Sequence, residues 1–249
     1  MKKLIITLMF LSGALSASAA ETIRFATEAS YPPFEFIDAD NTMRGFDVEL
    51  AQTLCQQLHA ECIFVNQAFD NLITGLKLRR FDAVISAIDI TSERKKQVLF
   101  TEPYYQNSAL FITRKGEISG IEALKGKRVG LQNGTTHQQF LQALHPEMAG
   151  IPYDSYQNAI LDLKNGRLDA IFGDTAVINQ WLEKDKTLAA VGHQITDADY
   201  FGNGFGIAVR HGNTALLSKL NRALEQLKRD GTYQKIYQQW FRTTPNNDE

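Results

Sequence analysis

The chain has 249 residues, 44 % hydrophobic, 22 % charged and 10 % aromatic, which supplies one large core or two medium ones and excludes a wholly disordered chain. Lys plus Arg total 26 against 28 Asp plus Glu, a net charge of -2, so no basic excess points to nucleic acid and no acidic block to a charged tail. With only two cysteines, it is neither a disulfide-dense scaffold nor a cysteine-ligated iron–sulfur protein.

In chain order, Lys2 and Lys3 precede an apolar run over residues 4–11, and Ala17-Ser18-Ala19 supplies a small-residue cleavage site. This is the pattern of a secretory signal peptide over residues 1–19. The run is too short for the ~20 apolar residues of a membrane span. Cleavage leaves 24 basic and 28 acidic residues, a net charge of -4. Export also gives meaning to Cys55 and Cys62, because in an oxidising compartment an even pair reads as a disulfide.

Residues 22–26 alternate and read as a strand. The following Ser30-Tyr31-Pro32-Pro33-Phe34 is a rigid loop, since two prolines remove donors and restrict their neighbours. Asp47 opens a helix with Leu50, Ala51, Leu54, Cys55 and Leu58 on one face. Residues 63–66 form a short strand, and Asp70 is placed to cap a helix carrying Leu72, Ile73 and Leu76. A strongly apolar strand over residues 83–88 leads to a helix beginning at Thr91-Ser92-Glu93, with Glu93 suited to the first turn. Strand and helix alternate, which predicts an α/β layer with a mostly parallel sheet.

The same grammar restarts. A turn feeds a strand over residues 126–131, Asn133-Gly134-Thr135-Thr136 opens a helix, and a second helix over residues 155–165 is closed by Gly166. A strand over 168–172 and a helix over 174–183 follow. Arg80-Phe81-Asp82-Ala83-Val84-Ile85 echoes Arg167-Leu168-Asp169-Ala170-Ile171-Phe172, so two similar halves fit better than one continuous sheet. Two extended apolar segments, residues 108–113 and 204–209, are candidates for strands that cross between the halves. The helices over 214–229 and 232–241, separated by Gly231, then return to the first half. A cleft between the halves is the natural ligand site.

These residues resemble the periplasmic solute-binding proteins of the polar amino acid type, which serve ABC transporters. The resemblance rests on Tyr31-Pro32-Pro33-Phe34-Glu35, Gly45-Phe46-Asp47, Phe81-Asp82-Ala83, Asp89-Ile90-Thr91 with Arg94, Phe100-Thr101-Glu102-Pro103-Tyr104-Tyr105, Gly173-Asp174-Thr175 and Asp230-Gly231-Thr232-Tyr233, in this order over residues 21–241. Asn133-Gly134-Thr135-Thr136-His137 and Phe172-Gly173-Asp174-Thr175-Ala176-Val177 are shared with the periplasmic arginine-binding proteins. The resemblance implies a two-lobe α/β periplasmic-binding-protein fold of type II, each lobe a mixed, mostly parallel sheet flanked by helices. Its expected division is residues 20–108 for the first part of lobe one, 109–205 for lobe two, and 206–249 for the return strand and terminal helices. It implies a periplasmic monomer whose partners are L-arginine or a related basic amino acid and an inner-membrane ABC transporter permease, with no cofactor, metal or nucleic acid.

Physical chemistry defines what such a site needs. An amino acid zwitterion leaving water must be paired at both ends, because unpaired buried charge is very costly. Its carboxylate favours a guanidinium fork and helix N–H groups; its ammonium favours a carboxylate. By position Arg94, in the first turn of a helix, reads as a solvated surface residue like its neighbours Lys95 and Lys96; the resemblance makes it the carboxylate partner. Asp174, by position a helix cap, becomes through the resemblance the ammonium partner. Thr136, with Thr135 beside it, is placed on the carboxylate. Phe69, which could be core, and Tyr31, which could merely brace the proline loop, become through the resemblance aromatic walls on either side of the side chain. Ser86 and Ala87 are expected to offer backbone groups; Ala87 departs from a serine found in some relatives, but a backbone donor survives that change. Glu28, Asp89 and Gln132 are candidate polar contacts, with Glu28 open to being a solvated loop acid and Asp89 to capping the helix near Thr91. This set suits arginine, lysine or ornithine better than glutamate. His137 reads as a helix-start residue rather than a ligand, and Glu102 and Tyr104 as hinge neighbours. The scattered histidines make no metal pattern. An enzyme on the same scaffold, such as a dehydratase of cyclic acids, is the competing class, and a sensor's ligand domain a third; no activated nucleophile is visible for the enzyme.

Overall fold

The structure, a computed structural model, describes residues 21–241; the signal-peptide reading lies outside the described residues. The first run of elements is β1 (Thr22–Thr27), a small antiparallel sheet of β2 (Ser30–Tyr31), β3 (Glu35–Ile37) and β4 (Met43–Arg44), then α1 (Phe46–Gln57), β5 (Glu61–Asn66), α2 (Leu72–Lys77), β6 (Ala83–Val84), α3 (Ser92–Lys95) and β7 (Val98–Phe100). The second run is β8 (Ala109–Arg114), β9 (Arg128–Gln132), α4 (Thr136–Leu144), β10 (Ala149–Tyr153), α5 (Tyr156–Lys164), β11 (Ala170–Asp174), α6 (Thr175–Lys184) and β12 (Leu188–Ile195). The chain closes with β13 (Ala208–Arg210), α7 (Thr214–Arg229) and α8 (Thr232–Phe241).

Two five-stranded sheets form the lobes, in the orders β5-β1-β6-β13-β7 and β10-β9-β11-β8-β12. Both are mixed and built alike: three parallel strands, then one antiparallel strand, β13 or β8, and beyond it an edge strand, β7 or β12, that pairs antiparallel with it. The repeated string explains the likeness. Asp82, just before β6, accepts from the backbone N–H and guanidinium of Arg24 on β1, both at 3.0 Å. Asp169, just before β11, does the same for Arg128 on β9, at 2.8 and 3.1 Å. Each aspartate therefore fixes the register of the central parallel pair of its sheet.

Most helices fall where the periodicity places them. α1 buries Leu50, Ala51, Leu54 and Cys55, and Cys55 and Cys62 form a disulfide across the α1–β5 turn. It starts at Phe46, capped by Gly45 at φ 128, where a Cβ would lie 2.0 Å from the Phe34 carbonyl oxygen. Only glycine fits so close an approach. α7 buries Leu216, Leu220, Leu224 and Leu227 and packs with α8 against α1 in lobe one, roughly 1.5–3 kcal/mol of burial for each fully buried leucine.

Several expectations are corrected. Asp70 does not cap α2: the residue there is Asn71, which makes no side-chain capping bond, and a 3-10 turn (Phe69–Asn71) precedes it. The strand expected over 83–88 pairs only at Ala83–Val84, because Ala87 turns to φ 43. The segments over 108–113 and 204–209 are crossing strands only in part. β8 lies inside the second sheet between β11 and β12, and β13 inside the first between β6 and β7. The chain crosses just before β8 and just before β13, and the second crossing takes up Gly204 and Phe205 of the expected segment. Phe205 bridges both Asp89 and Tyr105, its N–H donating to the Tyr105 carbonyl at 2.8 Å, while the Tyr104 N–H donates to the Phe205 carbonyl at 2.9 Å. Gly204, at φ 72, lets the two segments meet: a Cβ there would stand 2.3 Å from the Tyr105 oxygen. Strands β7, β10 and β12 and the β2–β4 sheet carry too short or too mixed a pattern to be read from alternation.

Candidate ligand-binding site

The lobes meet along a buried polar seam, and nearly every candidate residue lies on it. From lobe one, Arg94 sits in α3, whose start is capped by Thr91 accepting from the Arg94 N–H at 3.1 Å. Its guanidinium is buried, 5 % exposed, and donates to the Asp89 carbonyl at 3.0 Å and across the seam to the Gly134 carbonyl at 3.3 Å. It also lies over the Phe69 ring, 5.6 Å from its centre, so one aromatic face already carries a cation. Lys95 and Lys96 are exposed, as the solvated reading requires.

From lobe two, Asp174 ends β11 and precedes α6, but its carboxylate makes no capping bond. It turns into the seam. Oδ2 accepts from the Tyr31 hydroxyl at 2.5 Å and Oδ1 from Asn107 Nδ2 at 2.6 Å, with His137 Nε2 at 3.2 Å. The same Asn107 amide donates to Asp89 Oδ1 at 2.8 Å, and Thr136 donates to Asp89 Oδ2 at 2.6 Å. Asp89 therefore caps nothing; it is part of the acid cluster. Burial first, and the neighbouring Asp174 charge second, raise its pKa to about 7 against the pull of Arg94 and His137.

Thr135 caps α4 by accepting from the Gln138 N–H at 3.3 Å and donates to the Gln132 carbonyl at 2.7 Å. Gln132 in turn donates across the seam to Glu28 Oε2 at 3.2 Å, and to the Asp154 carbonyl at 3.0 Å. Glu28 is thus a buried group rather than a solvated loop acid. Burial raises its pKa, although hydrogen bonds from Ser30 and Gln132 favour its charged form. Tyr31 packs between Phe34 and Tyr156, ring centres 6.2 and 5.5 Å away. Asp70, no cap, reaches over the seam to accept from Asn133 at 2.9 Å.

Ser86 and Ala87 lie in the turn that follows β6. The Ser86 hydroxyl accepts from the Glu28 N–H and donates to Glu35, both at 3.0 Å. The Ala87 N–H is donated to Asp47 at 2.7 Å and so is committed within lobe one. Asp70 and Asn133 were not candidates, nor were three more seam residues: Asn107, a lone polar residue in the crossover with no motif around it; Tyr156, read only as a helix position; and His137, whose ring stands edge-on to Phe172 and Tyr156. His137 follows Thr136 directly, the one signal that would have marked it.

Two α/β lobes joined by paired crossovers, with a buried arginine, three carboxyl groups and aromatic rings contributed from both sides of the seam, define a two-lobed binding protein for a small charged molecule. The comparisons place it within a family. The sequence profile of the bacterial extracellular solute-binding proteins, family 3, matches residues 23–243, and the chain belongs to that family. Two proteins of Escherichia coli (strain K12) named as arginine-binding proteins of an ABC transporter are 62 % and 56 % identical to it over 241 residues, each covering 97 % of this chain and 99 % of the relative. A solved Salmonella typhimurium periplasmic binding protein, described for high arginine specificity, superposes with a TM-score of 0.87 at 47 % identity, covering 89 % of this chain and 100 % of that one. These relatives are binding proteins, and the role here is binding, not catalysis.

Proposed function

We propose that the protein is exported through a cleaved signal peptide, captures a basic L-amino acid in the periplasm, arginine first, and delivers it as a monomer to an ABC transporter permease by hinge closure of its lobes. The observation that carries the reading is the charge of the seam: among the described residues, Glu28, Asp89 and Asp174 are buried around a single arginine, Arg94. Arginine brings one carboxylate and two cationic ends, and so offsets such an acidic excess where a neutral or acidic amino acid would not. In the proposed arrangement Arg94, Thr136 and the first turn of α4 hold the carboxylate, with Thr135 shaping that turn. Asp174 and Asp89 hold the ammonium. The side chain runs between Tyr31 and Phe69 toward Glu28 and Gln132, and Ser86 and Ala87 line the turn behind it. The names of the arginine-binding relatives support the same choice. The lobe boundaries that go with this reading are residues 20–108, 109–205 and 206–249. The amino acid selects the closed form only through its greater affinity for it. Calorimetric titration of the refolded protein with arginine and with arginine amide tests the arrangement: the amide, lacking the carboxylate, should bind poorly.

A further inference from the structure

One buried acidic pair stands behind the cleft and outside the proposed contacts. Glu35 on β3 and Asp47 on α1 are 1 % and 0 % exposed. Asp47 Oδ2 accepts from the Ala87 N–H and from the Tyr104 hydroxyl, both at 2.7 Å. Glu35 Oε1 accepts from the Ser86 hydroxyl at 3.0 Å. The remaining oxygens, Glu35 Oε2 and Asp47 Oδ1, have no donor while both groups are ionised. Burial raises both pKa values, that of Asp47 to about 6, and Glu35 further through the charges of Asp47 and Glu28. A proton on Glu35 makes it a donor to Asp47 and satisfies the pair.

The two groups that Asp47 joins are not ordinary. Ala87 has φ 43, a left-handed backbone that a residue with a Cβ adopts only when its surroundings enforce it. Tyr104 lies in the first crossover, where its N–H donates to Phe205 and its carbonyl accepts from the Tyr233 hydroxyl. We propose that Asp47 is a positioning residue: it holds the Ser86-Ala87 turn in its left-handed form and ties that turn to the crossover through Tyr104, and thereby sets the affinity for the amino acid without touching it. This rests on the binding function proposed above.

Arginine titrations of the full mature protein, paired with thermal melts, test it. Asp47→Asn replaces an acceptor facing the Ala87 N–H and the Tyr104 hydroxyl with a mixed donor and acceptor, and should raise Kd at least tenfold. Adding Ala87→Gly, which removes the backbone cost of the left-handed turn, should recover at least a third of that loss on a logarithmic scale. Tyr104→Phe, which deletes one hydroxyl from a buried ring and serves if Asp47→Asn does not fold, should raise Kd at least threefold, mainly through faster dissociation. A merely structural role would lower the melting temperature of these variants and leave Kd unmoved. Kd within twofold of wild type for Tyr104→Phe, or no recovery by Ala87→Gly in a folded Asp47→Asn protein, overturns the inference while leaving the function standing. A wild-type protein that takes no arginine removes both.

Discussion

The Tyr31 hydroxyl donates to Asp174 Oδ2 at 2.5 Å, linking residues 143 positions apart and the two lobes to each other. A tyrosine of one lobe thereby aims the carboxylate of the other. A hydrogen bond to a charged group contributes about 1.5–3 kcal/mol. Tyr31→Phe, which keeps the ring and loses the hydroxyl, is expected to weaken arginine by about that amount in calorimetric titration. Unchanged affinity would show that Asp174 is oriented without it.

Among the described residues Arg94 is the one arginine buried in the seam, and its loss would leave three carboxyl groups and the amino acid's carboxylate without a fixed arginine. Arg94→Ala is expected to cost ~2–5 kcal/mol of binding, and to cost far less against arginine amide. Binding of free arginine within a factor of two of wild type would remove Arg94 from the site.

Much of this was legible in the sequence because it depends on local pattern. The paired Asp82 and Asp169 strings, the α1 and α7 faces and the Thr135-Thr136 helix start are each read from a few neighbouring residues. What was missed depends on distance in sequence. The Ala87 N–H goes to Asp47, 40 residues away, and Asp70 reaches Asn133, 63 residues away. Asn107 joins Asp89 and Asp174 from a segment with no period at all. The first crossing was placed too late and the second ran on into β13, because an apolar run marks buried strands equally whether they cross or not.

The raised carboxyl pKa values give a pH dependence of definite sign. A carboxyl whose pKa is raised on folding holds its proton more tightly in the folded chain than in the unfolded one. Its stabilising contribution is complete below the ordinary carboxylate range near ~4 and is lost as pH rises through about 6 for Asp47 and about 7 for Asp89. Asp82 and Asp169, held below that range by Arg24 and Arg128, act only in more acid solution. Ligand-free protein should therefore melt at lower temperature at pH 8 than at pH 5. A cation beside Asp89 favours the ionised form, so arginine binding should release protons near pH 7 and tighten between pH 6 and pH 8. Titrations in two buffers of different ionisation enthalpy read this directly; identical heats in both would contradict it.

The Cys55–Cys62 disulfide closes a short loop between α1 and β5, away from the seam. Replacing both cysteines by serine should lower stability by roughly 2–3 kcal/mol in denaturant unfolding, as the loop-entropy relation gives for so short a ring, and leave the arginine affinity in place. A large loss of affinity in the folded variant would mean that this turn is coupled to the cleft.

The central claim is that the acidic seam selects a cationic amino acid, and its most direct test is calorimetric titration of the unfolded-and-refolded, ligand-free protein against all common amino acids plus ornithine. The account predicts that arginine binds most tightly, with lysine and ornithine next, because a flat guanidinium gains both from packing against Tyr31 and Phe69 and from directed hydrogen bonds to Glu28 and Gln132. Tighter binding of a neutral or acidic amino acid than of these three would contradict it.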